Sequence, residues 1–194
     1  MNDKKIILAS NNAHKIEEIK DIFSEYEILS LKDIGFFEDI EENGKTFLDN
    51  AFIKAKTVHD YLKTKNIEAI VLADDSGLCV DALNGEPGVF SARYASNHGD
   101  SVENRKKLLH NLKNIKERTA HFVCILVKMY PNGEWVSAEG KTFGEITKEE
   151  LGDKSFGYDC IFYSYDLNKT FGQATKDEKN SVSHRSRALS KIKL

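Results

Sequence analysis

AIVLADDSGLCV, residues 69–80, opens as an apolar run (Ala69, Ile70, Val71, Leu72, Ala73) of the kind buried in the middle of a sheet. Two adjacent carboxylates, Asp74 and Asp75, then end the run, followed by Ser76-Gly77. A strand buried on both faces has no structural use for two anions at its tip. Their mutual repulsion and desolvation call for a cation, hydrogen-bond donors or water nearby. In open α/β sheets ligands bind at strand ends, which makes the acid pair a candidate site. The plain alternative for Asp-Asp-Ser-Gly is a helix cap or Asx-turn that follows a strand, and the stretches on either side have to decide between them.

Upstream, Lys4 to Ala9 is a short β run that ends in Ser10-Asn11-Asn12. A helical pattern follows, with Ile16, Ile19 and Phe23 on one face and Asn12 as N-cap. Strand, polar turn and helix in this order aim the free N–H groups and the positive end of the helix dipole at the turn. Lys15 sits in the first helical turn, where a cation is unfavourable unless it faces an anion, and Glu18 lies close to the same face. Alone, Asn-x-x-Lys describes a capped surface helix. Beside an acidic strand end it becomes a candidate phosphate cradle.

Glu27 to Leu31 reads as a second strand, and residues 33–44 as a loop dense in acids, including Glu41 and Glu42, of the sort that is usually a solvated face. Thr46 and Asp49 then start a helix with a capping-box pattern. Phe47, Leu48, Ala51, Phe52, Ala55, Val58 and Leu62 line one face of it, and Lys54 and Lys56 fall off the centre of that stripe, where solvent is the default.

Downstream, Leu78 to Leu83 reads as a separate extended segment, and Asn84-Gly85-Glu86-Pro87-Gly88 as a turn leading to Phe90-Ser91-Ala92-Arg93-Tyr94. Ser101 caps a helix carrying Leu108, Leu109 and Leu112. Thr119–Tyr130 and Glu134–Ile146 form a long hairpin about Pro131-Asn132-Gly133, expected to help build a second lobe. Ser155-Phe156-Gly157-Tyr158-Asp159 opens into a strand at Cys160–Tyr163. Ser183 caps a final helix with Ala188, Leu189 and Ile192, which puts His184 and Arg185 in its first turn. Cations there oppose the dipole, and such local rule-breaking marks functional sites; an ordinary surface His-Arg pair is the alternative.

A chain of 194 residues is long enough for one sizeable domain, 1–194, or two small lobes. A net charge of −3 with scattered basic residues leaves no footprint for duplex nucleic acid, and no apolar run approaches the roughly 20 residues of a membrane span. The segment MNDKKIILAS lacks a signal-peptide core. Cys79, Cys124 and Cys160 are odd in number and lack metal spacing, so they read as reduced, buried, small hydrophobes. The expectation is a cytoplasmic protein.

Five segments occur in order: Ser10-Asn11-Asn12-Ala13-His14-Lys15-Ile16-Glu17-Glu18; Ala73-Asp74-Asp75-Ser76-Gly77-Leu78; Gly85-x-Pro87-Gly88 with Ser91-Ala92-Arg93-Tyr94; Phe156-Gly157-Tyr158-Asp159; and Ser183-His184-Arg185. The series, spread over essentially the whole chain, resembles the inosine triphosphate pyrophosphatase family of noncanonical purine nucleoside triphosphate diphosphatases. The resemblance implies an elongated, two-lobed α/β fold with a central mixed β-sheet flanked by helices. It also implies a homodimer, and an active-site cleft between the lobes that uses Mg²⁺. By position, Ser10, Asn11, Asn12 and Lys15 would hold the triphosphate, with Lys54 a further phosphate-side cation and Ser76 beside them. Glu41 and Asp75 would serve the metal. Asp75 would also act as acid–base residue, with Lys15 in contact with the phosphates and Asp74 and Glu18 as supporting acids. Phe156, with Gly157 and Tyr158, resembles the segment that stacks on the base, and Asp159, Lys179, His184 and Arg185 the group that reads it. Asn11 stands where many relatives have Gly, and Cys160 where a Pro is usual, which alters the phosphate turn slightly and leaves the second corner less rigid.

The implied reaction is hydrolysis of ITP, dITP or XTP to the monophosphate and pyrophosphate. Inosine and xanthine present an acceptor oxygen at C6 where adenine presents a donor amine, so donors such as Arg185 and His184 would favour the former. A buried polar pocket of this kind rejects the wrong partner by about 10⁴-fold. Two rival readings are a pyrophosphatase of other modified or pyrimidine triphosphates and a non-catalytic nucleotide-binding protein. The second is opposed by the intact set of acids and lysines.

Overall fold

The computed structural model describes residues 5–96, 99–153 and 156–192; Lys4 and Ser155 lie outside them. The strands are β1 (Lys5–Leu8), β2 (Glu27–Leu29), β3 (Ile70–Val80), β4 (Thr119–Met129), β5 (Trp135–Ile146), β6 (Phe162–Ser164) and β7 (Lys169–Thr170). They form a mixed sheet in the order β2-β1-β3-β4-β5-β6-β7. β1 runs parallel to both β2 and β3, in a register that sets Ile6, Ile7 and Leu8 opposite Ile70, Val71 and Leu72. β5–β6 and β6–β7 are antiparallel. The helices are α1 (Ala13–Ile22), α2 (Phe47–Thr64), α3 (Ser101–Asn111), α4 (Lys176–Val182) and α5 (His184–Leu189). Among the described residues no helix is long and apolar enough to cross a membrane.

The chain divides into two compact units, each with its own core. Unit 1 comprises residues 1–75, 125–139 and 188–194; unit 2 comprises 76–124 and 140–187. In unit 1, Ile7, Val71 and Ala73 from β1 and β3 pack with Ala51, Ala55, Val58 and Leu62 of α2, all buried. Each such Val or Leu contributes about 1.5–3 kcal/mol of burial. In unit 2 the core is aromatic at its centre. Phe122 lies with its ring centroid 4.7 Å from Phe162, and Phe162 lies 5.1 Å from Phe171, inside a shell that includes Leu78, Val80, Leu108 and Leu112. The hairpin of β4 and β5 is shared by membership: its turn end belongs to unit 1 and the remainder to unit 2. Tyr130 N–H donates to Glu134 O across that turn at 2.8 Å.

The structure corrects several local expectations. β3 does not stop at the acid pair but continues through Ser76 and Gly77 to Val80, so Asp74 and Asp75 sit in mid-strand. The strand survives because its far half finds partners beyond the four-residue β1. Leu78 N–H donates to Ser91 Oγ at 2.8 Å and Val80 N–H to Glu86 O at 3.1 Å. Leu78 to Val80 therefore belong to β3, while Asp81–Leu83 is a 3-10 turn, as is Gly88–Arg93. Asp100, not Ser101, caps α3, accepting from the N–H groups of Val102 and Glu103. Cys160 and Ile161 lie in a 3-10 turn, and the strand begins at Phe162. Helix α4 escaped the sequence reading, although Thr175-x-x-Glu178 is a capping box that closes in both directions. Cys124 and Cys160 are buried, whereas Cys79 is only half-buried; all three are free thiols.

Thr46 and Asp49 do form the capping box of α2, and Ser183 does cap α5 through its Oγ, which accepts from Ser186 N–H at 3.1 Å. On α2, Leu48 is exposed and Phe52 leans on Trp135, so the buried stripe is Asn50, Ala51, Lys54, Ala55, Val58, His59 and Leu62.

One contact has no slack. Gly144 of β5 pairs with Ser164 of β6, and a Cβ at position 144 would stand 2.1 Å from the Tyr163 carbonyl oxygen and 2.8 Å from the Phe162 ring. Gly144→Ala is expected to destabilise the protein by about 3 kcal/mol, the upper end of the usual overpacking cost, read as a lower urea midpoint at unchanged m-value.

Candidate active site

Side chains alternate across a strand, and in β3 this sends the two acids to opposite faces. Val71, Ala73 and Asp75 share the face covered by α2; Leu72 and Asp74 share the other. Each acid meets a lysine from the helix on its own side.

On the α1 side, Lys15 Nζ lies 2.9 Å from Asp74 Oδ2, with the aspartate side chain fully buried. The turn that delivers Lys15 is built from its own polar side chains. Ala9 N–H donates to Leu72 O at 2.8 Å, extending β1 alongside β3. Ser10 Oγ accepts from Asn12 N–H, and Asn12 Oδ1 accepts from Lys15 N–H, both at 3.2 Å. Asn12 is thus the N-cap that its sequence position predicts, and Lys15 does face an anion. Ser10 is half-buried, Asn11 and Asn12 are exposed, and Glu18 is buried on α1.

On the α2 side, Asn50 and Lys54 are one helical turn apart and both point at Asp75. Asn50 Nδ2 donates to Asp75 Oδ2 at 3.1 Å. Lys54 Nζ lies 3.6 Å from Asp75 Oδ1 and 2.8 Å from Glu42 Oε2. A lysine whose sequence position reads as solvent-facing is therefore buried, with 7% of its surface exposed. It borders the apolar stripe closely enough to be carried inside, and buried carboxylates offset its desolvation. Burial works to lower the Lys54 pKa, but Asp75, Asp74 and Glu42 outweigh it and hold the ammonium above its ordinary value. Burial likewise raises the Asp75 pKa, reinforced by Glu42 and opposed by Lys54, Lys15 and the Asn50 hydrogen bond.

From the acidic loop, the residue that reaches this cluster is Glu42. Glu41 is exposed. Glu42 and Asn50 are the two site residues that sequence reasoning did not single out. The available signal was the helical spacing of Asn50 to Lys54, four residues along the buried stripe.

Unit 2 holds the other residues named from the sequence. Lys179 Nζ is 2.7 Å from Asp159 Oδ2, and its charge lies over the rings of Phe156 and Phe171 at 5.6 and 5.7 Å. His184 is buried and stacks on Phe122 with centroids 4.9 Å apart and planes at 15°. Arg185 is buried beside it in the chain, and Ser76 is half-buried on β3. Tyr158 has its hydroxyl committed to Ser91 O at 2.8 Å, and burial raises its pKa. Gly157 takes a positive φ of 54°, and its carbonyl accepts from Arg105 Nη1 at 2.9 Å. Arg105, itself buried and paired with Glu150 at 2.8 Å, is a further anchor of this segment that the sequence reading passed over.

Acids and lysines that converge on one strand of a mixed sheet define an α/β protein with a polar site suited to a cation and a polyanion together. The Ham1 family model matches residues 6–194, and the chain belongs to the Ham1 family. It is 51% identical to the dITP/XTP pyrophosphatase of Clostridium perfringens over 98% of this chain and 96% of that protein. It is 45% identical to the dITP/XTP pyrophosphatase of Bacillus subtilis over 97% and 95%. Among solved structures, the Ham1 protein of Staphylococcus aureus superposes with a TM-score of 0.85 at 41% identity, covering 96% of this chain and 95% of that one.

The raised Asp75 pKa has a thermodynamic consequence. The native protein holds this proton more tightly than the unfolded chain does. The associated stability is complete in acid and is lost as pH climbs through the folded value. The stability of the metal-free parent relative to Asp75→Asn, followed by thermal unfolding from about pH 4 to pH 8, is expected to fall with rising pH and then level off. A difference that stays flat contradicts the burial assignment.

Proposed function

We propose that the protein hydrolyses purine nucleoside triphosphates with deaminated bases (dITP, XTP and ITP) to the nucleoside monophosphate and pyrophosphate in the presence of Mg²⁺. The observation that carries this reading is the Lys54 ammonium held between the carboxylates of Glu42 and Asp75, in a chain 51% identical to a dITP/XTP pyrophosphatase. Two hard carboxylate oxygens already converge on one positive charge, which is the donor set that Mg²⁺ takes when water and phosphate oxygens complete its shell. Among the described residues no group of three His, Cys, Asp or Glu side chains is placed to hold a metal. A site dependent on substrate oxygens is consistent with that.

In this reading Glu42 and Asp75 hold the metal, and Glu42 takes the place that the family resemblance gave to Glu41. When bound, Mg²⁺ supplies charge neutralisation and Lewis acidity toward the phosphate oxygens. Asp75 accepts the proton of the attacking water. Lys15 and Lys54 exchange part of their carboxylate pairing for phosphate oxygens when substrate arrives, and Asp74 keeps Lys15 aimed. Ser10, Asn11 and Asn12 contribute the polar turn at the start of α1. Recognition of the base is assigned to Phe156, Asp159, Lys179, His184 and Arg185, with Tyr158 and Gly157 as supports, while Ser76 stands with the phosphate-side residues. The reading extends to a homodimer working in the cytoplasm.

Pyrophosphate release over a panel of purine and pyrimidine triphosphates, with and without Mg²⁺, tests the assignment. dITP and XTP are expected to be turned over well above ATP and the pyrimidines, and only with the metal; equal rates on ATP would defeat it. Asp75→Asn is expected to lower kcat by about 10²–10⁴-fold, the range for loss of a general base. Glu42→Gln is expected to weaken Mg²⁺ dependence strongly while Glu41→Gln stays near the parent, and the reverse order would restore Glu41 to the site.

A further inference from the structure

We propose that Asn50 is a positioning residue that sets the acidic loop against Asp75 and thereby selects which glutamate of the Glu41-Glu42 pair reaches the site. This rests on the reading of Glu42 and Asp75 as the acids that serve the bound cation. Asn50 is 1% exposed and its amide is used at both ends. Oδ1 accepts from the Gly44 N–H at 2.8 Å and Nδ2 donates to Asp75 Oδ2 at 3.1 Å. The chemistry of the partners allows only this orientation, because Gly44 offers a donor and the carboxylate an acceptor. One side chain thus ties the loop backbone to the strand acid.

Neighbouring contacts tighten the same point. Asp49 Oδ2 accepts from the N–H groups of Lys45 and Thr46 at 3.1 and 2.9 Å, so three consecutive loop amides, 44 to 46, are held by side chains of the first turn of α2. Gly44 has to be glycine for this closure. A Cβ there would lie 2.5 Å from Asp49 Cβ and 2.6 Å from Asn50 Oδ1. Upstream of the clamp, exposure alternates: Glu41 and Asn43 are exposed, Glu42 and Gly44 half-buried. In an extended chain, residues two apart share a side. Fixing Gly44 inward therefore turns Glu42 inward as well, onto Lys54, and a slip of one residue would present Glu41 instead.

Two variants test this. Asn50→Leu keeps the branched side-chain skeleton and removes both hydrogen bonds; Gly44→Ala leaves Asn50 intact and pushes the loop off it. Both are measured as Mg²⁺ affinity by isothermal titration calorimetry in the presence of a non-hydrolysable dITP analogue, as kcat and KM on dITP, and as hydrogen-exchange protection of the residue-44 amide. The expected result is a loss of about 10–100-fold in Mg²⁺ affinity, as for other groups that orient metal ligands. A matching fall in kcat, little change in KM and lost protection at residue 44 accompany it. In the Asn50→Leu background, Glu42→Gln costs less than it does alone, because the two changes act on one contact. If Asn50→Leu fails to fold, Gly44→Ala carries the same test. A folded variant of either kind with parental Mg²⁺ affinity and kcat overturns the proposal. A parent that binds Mg²⁺ but cleaves no purine triphosphate defeats the functional reading alone, since the titration and exchange data still judge Asn50; a parent that takes up no Mg²⁺ even with the nucleotide analogue present overturns both.

Discussion

Two neighbouring carboxylates inside a covered strand have to find a counter-charge on each face, because alternation never lets them share one. In β3 that requirement is met by Lys15 from α1 for Asp74 and by Lys54 from α2 for Asp75. Both helices are otherwise ordinary amphipathic elements. Each is committed to placing one lysine where its packing would have preferred an apolar side chain. Replacing buried ion pairs with hydrophobic residues often costs no stability and sometimes adds it. The retention of four charged side chains around one strand is therefore better understood as a demand of chemistry than of folding.

The same trade appears in unit 2 in a milder form. The Asp159–Lys179 pair lies against aromatic rings, and His184 is stacked on Phe122 at the start of a six-residue helix. Around these the chain is over-determined. Tyr158 is tied to Ser91, Ser91 to Leu78, and the Gly157 carbonyl to Arg105. Polar side chains anchored by backbone partners give a rigid frame without asking the titratable groups themselves to supply it.

Much of this was legible before any coordinates. Local signals with a chemical cause survived intact: Asn12 as N-cap, the Thr46–Asp49 capping box, the turn at Pro131-Asn132-Gly133, and Ser183 as cap of the last helix. The apolar run before Asp74 did mark an interior strand. What failed depended on partners distant in sequence. The continuation of β3 past Gly77 rests on Ser91 and Glu86, and no local propensity encodes that help. The burial of Lys54 depends on acids 12 and 21 residues away, and a lone lysine beside a stripe carries no mark of them. Which of Glu41 and Glu42 meets Lys54 is a matter of register: Glu42 reaches it and Glu41 is exposed, and adjacent identical residues give a sequence pattern nothing to separate.

The tethered ammonium of Lys54 bears on what the proposed metal loading would mean for this molecule. A domain whose ligands repel one another until an ion arrives is unfolded or molten when chelated, because binding energy and folding energy are then the same quantity. Here the repulsion between Glu42 and Asp75 is already quenched from within by a charge that cannot diffuse away. If these two acids take a metal as proposed, its loading would exchange one cation for another, and the fold would not depend on the ion being present.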